Sequence, residues 1–84
     1  MFTTRPVELL AASLAEKAPG DINRFYFLSG GSEANEAAIK LARQIHIENG
    51  NETKYRLIGR WKSYHGLTLG SLAAMGRTSF KTSF

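Results

Sequence analysis

The stretch Phe25-Tyr-Phe-Leu-Ser-Gly-Gly-Ser-Glu-Ala-Asn-Glu-Ala-Ala-Ile-Lys-Leu-Ala-Arg43 reads as a short apolar strand, a glycine turn and an amphipathic helix. Arg24 to Leu28 is aromatic and apolar, the composition of a buried strand. Ser29 to Ser32 supplies the turn. Beyond it, Ala34, Ala37, Ala38, Leu41, Ala42 and Ile45 follow the i, i+3, i+4, i+7 template of a helix with one apolar face. The small alanines near its start let such a helix lie close to a sheet. Ser32 suits the N-cap, and Glu33 puts negative charge in the first turn. Asn35 stands where a capping box needs Glu or Gln, so the box is incomplete. Asn49-Gly50-Asn51 stops the helix.

A helix N-terminus presents backbone N–H groups without intrahelical partners, and the aligned peptide dipoles add partial positive charge there. A glycine turn feeding that terminus is therefore a ready site for a phosphate. Glycine–serine turns also cap helices that bind nothing, so the turn alone leaves both readings open. Gly30-Gly31-Ser32 matches neither the Walker phosphate loop nor the Gly-x-Gly-x-x-Gly dinucleotide fingerprint.

Working outward, Val7 to Lys17 predicts a first helix, with Leu10, Leu14 and Ala18 on one face, Pro6 in its first turn and Pro19-Gly20-Asp21 ending it. Tyr55 to Trp61 predicts a second strand. The loop Lys62-Ser-Tyr-His-Gly66 follows, and Leu67 to Met75 begins another helix. The order helix, strand, helix, strand implies an α/β architecture: a partial parallel sheet with flanking helices, joined by a right-handed crossover. Open sheets of this kind bind ligands beyond the carboxyl ends of their strands. The loops Ser29–Ser32 and Lys62–Gly66 both follow strand ends and are expected on the same edge. There the Tyr64 ring could stack on a flat heterocycle with His65 packing beside it. A tyrosine half-buried in a loop, next to a histidine satisfied by backbone, fits the tripeptide equally well.

The 84 residues allow at most one small domain, and a chain this short buries only about 60–65% of its unfolded surface. Apolar residues at 43% and charged residues at 21% mark a globular chain rather than a disordered one. The absence of cysteine excludes disulfides and thiolate metal sites, and it suits a reducing compartment. No apolar run approaches the ~20 residues of a membrane span, and no signal-peptide core is visible, so a cytoplasmic protein without membrane contact is expected. The net charge of +4 is uneven: residues 1–42 carry four basic and five acidic side chains, residues 43–84 seven and two. An anion-binding second half, nucleic acid among its candidate partners, competes with a segment whose acidic partners lie elsewhere; no nucleic-acid recognition motif is present. His46 and His65 have no metal-ligand spacing, and His46 reads as a surface or rim residue. Lys40 follows Glu36 by four residues, a pairing worth a few tenths of a kcal/mol to a helix. None of the five lysines has the apolar setting that would lower its pKa for covalent chemistry, so no catalytic residue is assigned.

The run 27–43, followed by a strand ending in Trp61-Lys-Ser-Tyr-His-Gly66, resembles the class III aminotransferases, pyridoxal-phosphate enzymes with a type I aminotransferase fold. Phe2-Thr-Thr and Ala18-Pro-Gly-Asp21 also look like the family's segment before the motif, so the likeness covers the whole chain. It implies that Gly31 and Ser32 bind the phosphate of pyridoxal 5'-phosphate, that Tyr64 stacks on its pyridine ring and that His65 lines the cofactor or substrate side. Glu33 matches a recurrent acidic position of the family. The resemblance further implies transfer of an amino group between a small amine or amino acid and a keto acid or aldehyde, in a homodimer. The family's cofactor-bearing lysine, the aspartate facing the pyridine nitrogen and the partner-subunit phosphate contact all lie beyond residue 84 in that pattern. Residues 1–84 are thus expected to be part of the large cofactor-binding domain, inactive alone, with Met1 an internal methionine. A small α/β module for a phosphorylated ligand and a basic nucleic-acid-binding domain are the alternative readings.

Overall fold

Pro6 opens the first helix, α1 (Arg5–Lys17), from its first turn, where a missing N–H costs nothing. The computed structural model describes residues 2–84; Met1, with its expected internal position, lies outside the described residues. Leu14 and Ala18 are half-buried on the expected face of α1, whereas Leu10 stays exposed. The second helix, α2 (Gly31–Glu48), ends at Asn49 as its sequence predicts. A short helix α3 (Leu69–Ala74) and a single 3-10 turn (Thr78–Phe80) complete the elements.

The two expected strands are corrected. Among the described residues no strand forms, and no backbone hydrogen bond joins Arg24–Leu28 to Tyr55–Trp61. The first segment still shows the two-residue side-chain period of an extended chain: the Phe25 and Phe27 rings stack with centroids 6.4 Å apart. A strand, however, needs a neighbour to complete its ladder. Here each segment lies along its own groove on α2. Tyr26 and Leu28 line one groove with Ala34, Ala37 and Leu41, while Leu57, Ile58 and Gly59 line another with Ala38, Ile39 and Ala42. The alanines do let α2 approach both segments, but the segments do not pair with each other. The parallel sheet is therefore not formed among the described residues.

Local backbone pairing does fix the segment after Tyr55–Trp61. Lys62 N–H donates to the Gly76 carbonyl and Gly76 N–H to the Ser63 carbonyl, both at 3.2 Å. The crossing is so close that a Cβ on Gly76 would overlap the Arg60 carbonyl, which leaves glycine as the residue that fits. Lys62 itself takes φ +61°, a left-handed conformation that turns the chain into Tyr64.

Ser71, Leu72 and Met75 at α3, together with Gly66 in the loop before it, are the buried residues that form the centre of packing, and α3 rests on α2. Most other large apolar side chains remain open to solvent, including Ile58 at 94% and Trp61 at 83%. The accessible surface is 7457 Å², whereas a closed monomer of 9.3 kDa would expose roughly 5,000 Å². The radius of gyration, 15.7 Å, likewise exceeds the roughly 12 Å of a compact domain this long.

Candidate functional site

The first turn of α2 is where the polar groups gather. The helix begins at Gly31, with extended Gly30 at the N-cap and no side-chain cap. Ser32 is therefore inside the helix rather than capping it, because its hydroxyl is engaged elsewhere: Ser32 Oγ accepts the Leu67 N–H at 3.1 Å. The first internal bond of the helix runs from Ala34 N–H to the Gly30 carbonyl, at 3.0 Å. Among the described residues, the N–H groups of Gly31, Ser32 and Glu33 have no protein acceptor. Glu33 folds back over Gly30, its Oε2 2.7 Å from where a Cβ would stand, so its charge lies against the N-cap residue at the positive end of the helix.

One polar face of α2 binds the loop that carries Tyr64 and His65. Ser32, Asn35 and Glu36 share this face through their i, i+3, i+4 spacing. Asn35 Nδ2 donates to the His65 carbonyl at 2.6 Å. Ser71 Oγ donates to the Ser32 carbonyl at 3.0 Å. Glu36 Oε1 accepts the N–H groups of Gly70 at 2.7 Å and Ser71 at 3.1 Å, satisfying the start of α3. Gly66, at φ +124°, sits directly on Ser32; a Cβ there would stand 2.5 Å from Ser32 Oγ and 2.9 Å from Ser71 Cβ. Only glycine allows both that conformation and that approach.

The Glu36 carboxyl is held below its ordinary value. The Thr68 hydroxyl beside it contributes most, then the Ser71 N–H; desolvation opposes them, and the Gly70 N–H and the Lys40 charge add smaller lowering effects. Thr68 Oγ1 is buried and makes no hydrogen bond of normal geometry, so it acts on Glu36 as a nearby dipole and the two N–H bonds are the firmer contacts.

Between the turn and the loop lies an open depression of about 280 Å³, lined by Gly31, Ser32, Asn35, Tyr64, His65 and Gly66. It brings together all four residues singled out from the sequence as cofactor-binding: Gly31, Ser32, Tyr64 and His65. Tyr64 is 54% exposed, leaving its ring free to meet a ligand. None of the lysines lines the depression, and His46 lies in the last turn of α2, at the other end of the helix. Asn35 and Glu36 were missed as site residues. Their signal was the polar i, i+3, i+4 triplet, which reads equally well as a solvated face or, for Glu36, as an ion-pair partner of Lys40. No cluster of metal-ligating side chains is found among the described residues, and no helix there is long and apolar enough to cross a membrane.

Comparison with known proteins gives the family. The model of the family "Aminotransferase class-III" matches residues 1–84. The chain is 48% identical over 75 residues to the uncharacterized aminotransferase YodT of Bacillus subtilis, covering 89% of this chain and 17% of that protein. It is 46% identical over 83 residues to a probable aminotransferase of Mycobacterium tuberculosis, covering 99% of this chain and 18% of that protein. A putrescine–pyruvate aminotransferase of Pseudomonas aeruginosa is 37% identical over 71 residues, covering 84% of this chain and 16% of that protein. Among solved structures, an (S)-enantioselective omega-transaminase from Thermomicrobium roseum superposes with a TM-score of 0.92 at 39% identity, over 98% of this chain and 18% of that one. The chain belongs to the class III aminotransferases. It spans about one-sixth of the relatives it matches.

Proposed function

We propose that these residues form one side of the pyridoxal 5'-phosphate site of a longer aminotransferase, within its large cofactor-binding domain. The observation that carries the reading is the convergence of Gly31, Ser32, Tyr64 and His65 on one depression beside a helix terminus with free N–H groups. The residues fit the cofactor. An anion needs donors and room, and a Cβ placed on Gly31 would find nothing within 4 Å. A flat ring needs a platform, and Tyr64 offers a half-exposed one beside the turn.

When bound, pyridoxal phosphate supplies the electron sink for amino-group transfer. The residues of this chain bind and orient. Gly31 and Ser32 N–H groups neutralise phosphate charge at the positive end of α2. Ser32 Oγ is already an acceptor for Leu67 N–H, which leaves its proton free to donate. Tyr64 covers a ring face, and His65 lines the same depression. No side chain in this segment supplies the amine that would hold the cofactor covalently. Substrates are a small amine and a keto acid, as the name of the putrescine–pyruvate relative supports. The intact protein is proposed to be a cytoplasmic homodimer of type I aminotransferase fold, in which strands from the rest of the chain pair with 25–28 and 55–61.

Cofactor titration of the longer protein tests the site. Ser32→Ala removes one hydrogen bond to a charged group, about 1.5–3 kcal/mol, or roughly tenfold to a hundredfold in affinity. Gly31→Val weakens binding further by filling the open cradle, Tyr64→Ala weakens it and alters the cofactor's absorption, and Tyr64→Phe is mild. Unchanged affinity in both Gly31→Val and Tyr64→Ala removes the cofactor from this segment.

A further inference from the structure

We infer that Glu36 is a positioning residue: by holding the start of α3 against the second turn of α2, it seats the Tyr64-His65-Gly66 loop over the Gly31–Ser32 turn. The inference rests on the cofactor reading for its consequence, but its structural content is independent of any ligand. Glu36 touches none of the depression, whose lining ends at Asn35 on this face. Its carboxylate instead accepts the N–H groups of Gly70 and Ser71, at 2.7 and 3.1 Å. Those two residues follow Gly66 closely in the chain, and Ser71 returns a bond to the Ser32 carbonyl at 3.0 Å. Holding Ser71 there places its Cβ at the wall against which Gly66 is pressed, opposite Ser32. Released from Glu36, α3 would expose two unpaired N–H groups, and the seam would keep three bonds, those of Asn35 Nδ2, Ser32 Oγ and Ser71 Oγ.

A residue that merely supports the fold would weaken every ligand contact. A residue that positions the loop weakens the ring contact and spares the phosphate contact. The experiment is a pair of double-mutant cycles on pyridoxal phosphate affinity in the longer protein, Glu36→Ala with Tyr64→Ala and Glu36→Ala with Gly31→Val. Hydrogen exchange of residues 64–72 in the cofactor-free protein accompanies them. Glu36→Ala is expected to lower affinity about tenfold, to add little once Tyr64 is alanine, and to add in full to Gly31→Val. Exchange in 64–72 should rise, and Glu36→Gln, which keeps one acceptor oxygen and the side-chain shape, should restore most of both signals. Full additivity with Tyr64→Ala overturns the inference, as does unchanged exchange in 64–72 for Glu36→Ala. Should Glu36→Ala fail to fold, Glu36→Met, which keeps the side-chain length and removes both acceptor oxygens, is read in the same cycles and exchange measurements and decides between the same outcomes. If Tyr64→Ala and Gly31→Val both leave affinity unchanged, the cofactor reading fails, and the exchange data alone then uphold or overturn the positioning role.

Discussion

Gly31 and Gly66 look alike on paper and differ in what surrounds them. Gly31 faces open space, so its tolerance of a side chain is set by the ligand rather than by the protein. Gly66 combines φ +124° with a seat on Ser32, so its tolerance is set by the protein before any ligand arrives. Gly66→Ala is expected to cost about 1–3 kcal/mol in backbone strain alone, with the overlap at Ser32 added to it. Thermal melts of cofactor-free protein should therefore drop for Gly66→Ala and stay level for Gly31→Ala, while cofactor titration should register both. A melt lowered equally by the two would contradict the geometry. The Tyr-His-Gly tripeptide was legible in the sequence as a loop after an extended segment. That its glycine is needed because Ser32 lies beneath it was not, since the contact bridges residues 34 apart in the chain.

The helices were legible because a 3.6-residue period is a local property, and α1 and α2 follow their apolar spacing and breakers. The strands were not confirmed because a ladder belongs to two segments, and Phe25–Leu28 finds α2 instead of a neighbouring strand. The Ser32 cap failed for a related reason: Leu67 N–H competes for the same oxygen from far along the chain. Glu36 joins two elements and gives the pair a pH dependence with a definite sign. Its folded carboxyl lies below the ordinary 4.5, so its contribution is fully present above that value and is lost as pH falls through the lowered folded value. Amide exchange at Gly70 and Ser71, corrected for intrinsic rates, should accelerate in that acidic window and nowhere between pH 5 and 8. Glu36→Gln should flatten the profile. A carbon-detected titration placing the Glu36 midpoint at or above 4.5 would refute it.

At the scale of the whole molecule, the polar seam between α2 and α3 is closed while the apolar faces are not. Ile58, Trp61, Tyr26 and Tyr55 are each more than half exposed, in or beside the segments that lack strand partners. The 84-residue chain prepared alone should therefore unfold over a broad temperature range and bind a hydrophobic dye at low temperature. A sharp two-state transition of a monomer would contradict this. Borohydride reduction after incubation of that chain with pyridoxal phosphate should yield no single stoichiometric pyridoxyl-lysine, because no lysine lines the depression. One specific adduct would show that an amine reaches the site from within the segment.

The same seam has a consequence in time. Its five hydrogen bonds span between 30 and 39 residues of chain, so all of them close nearly the same loop. Loop-closure entropy grows only logarithmically, and across that range it differs by about 0.2 kcal/mol. The first bond to form thus bears almost the whole cost of closure, and the other four follow at little further entropic expense. Opening is then one event rather than five. A molecule arriving to bridge the two sides of this clasp meets a binding surface that is either assembled or absent, with little in between.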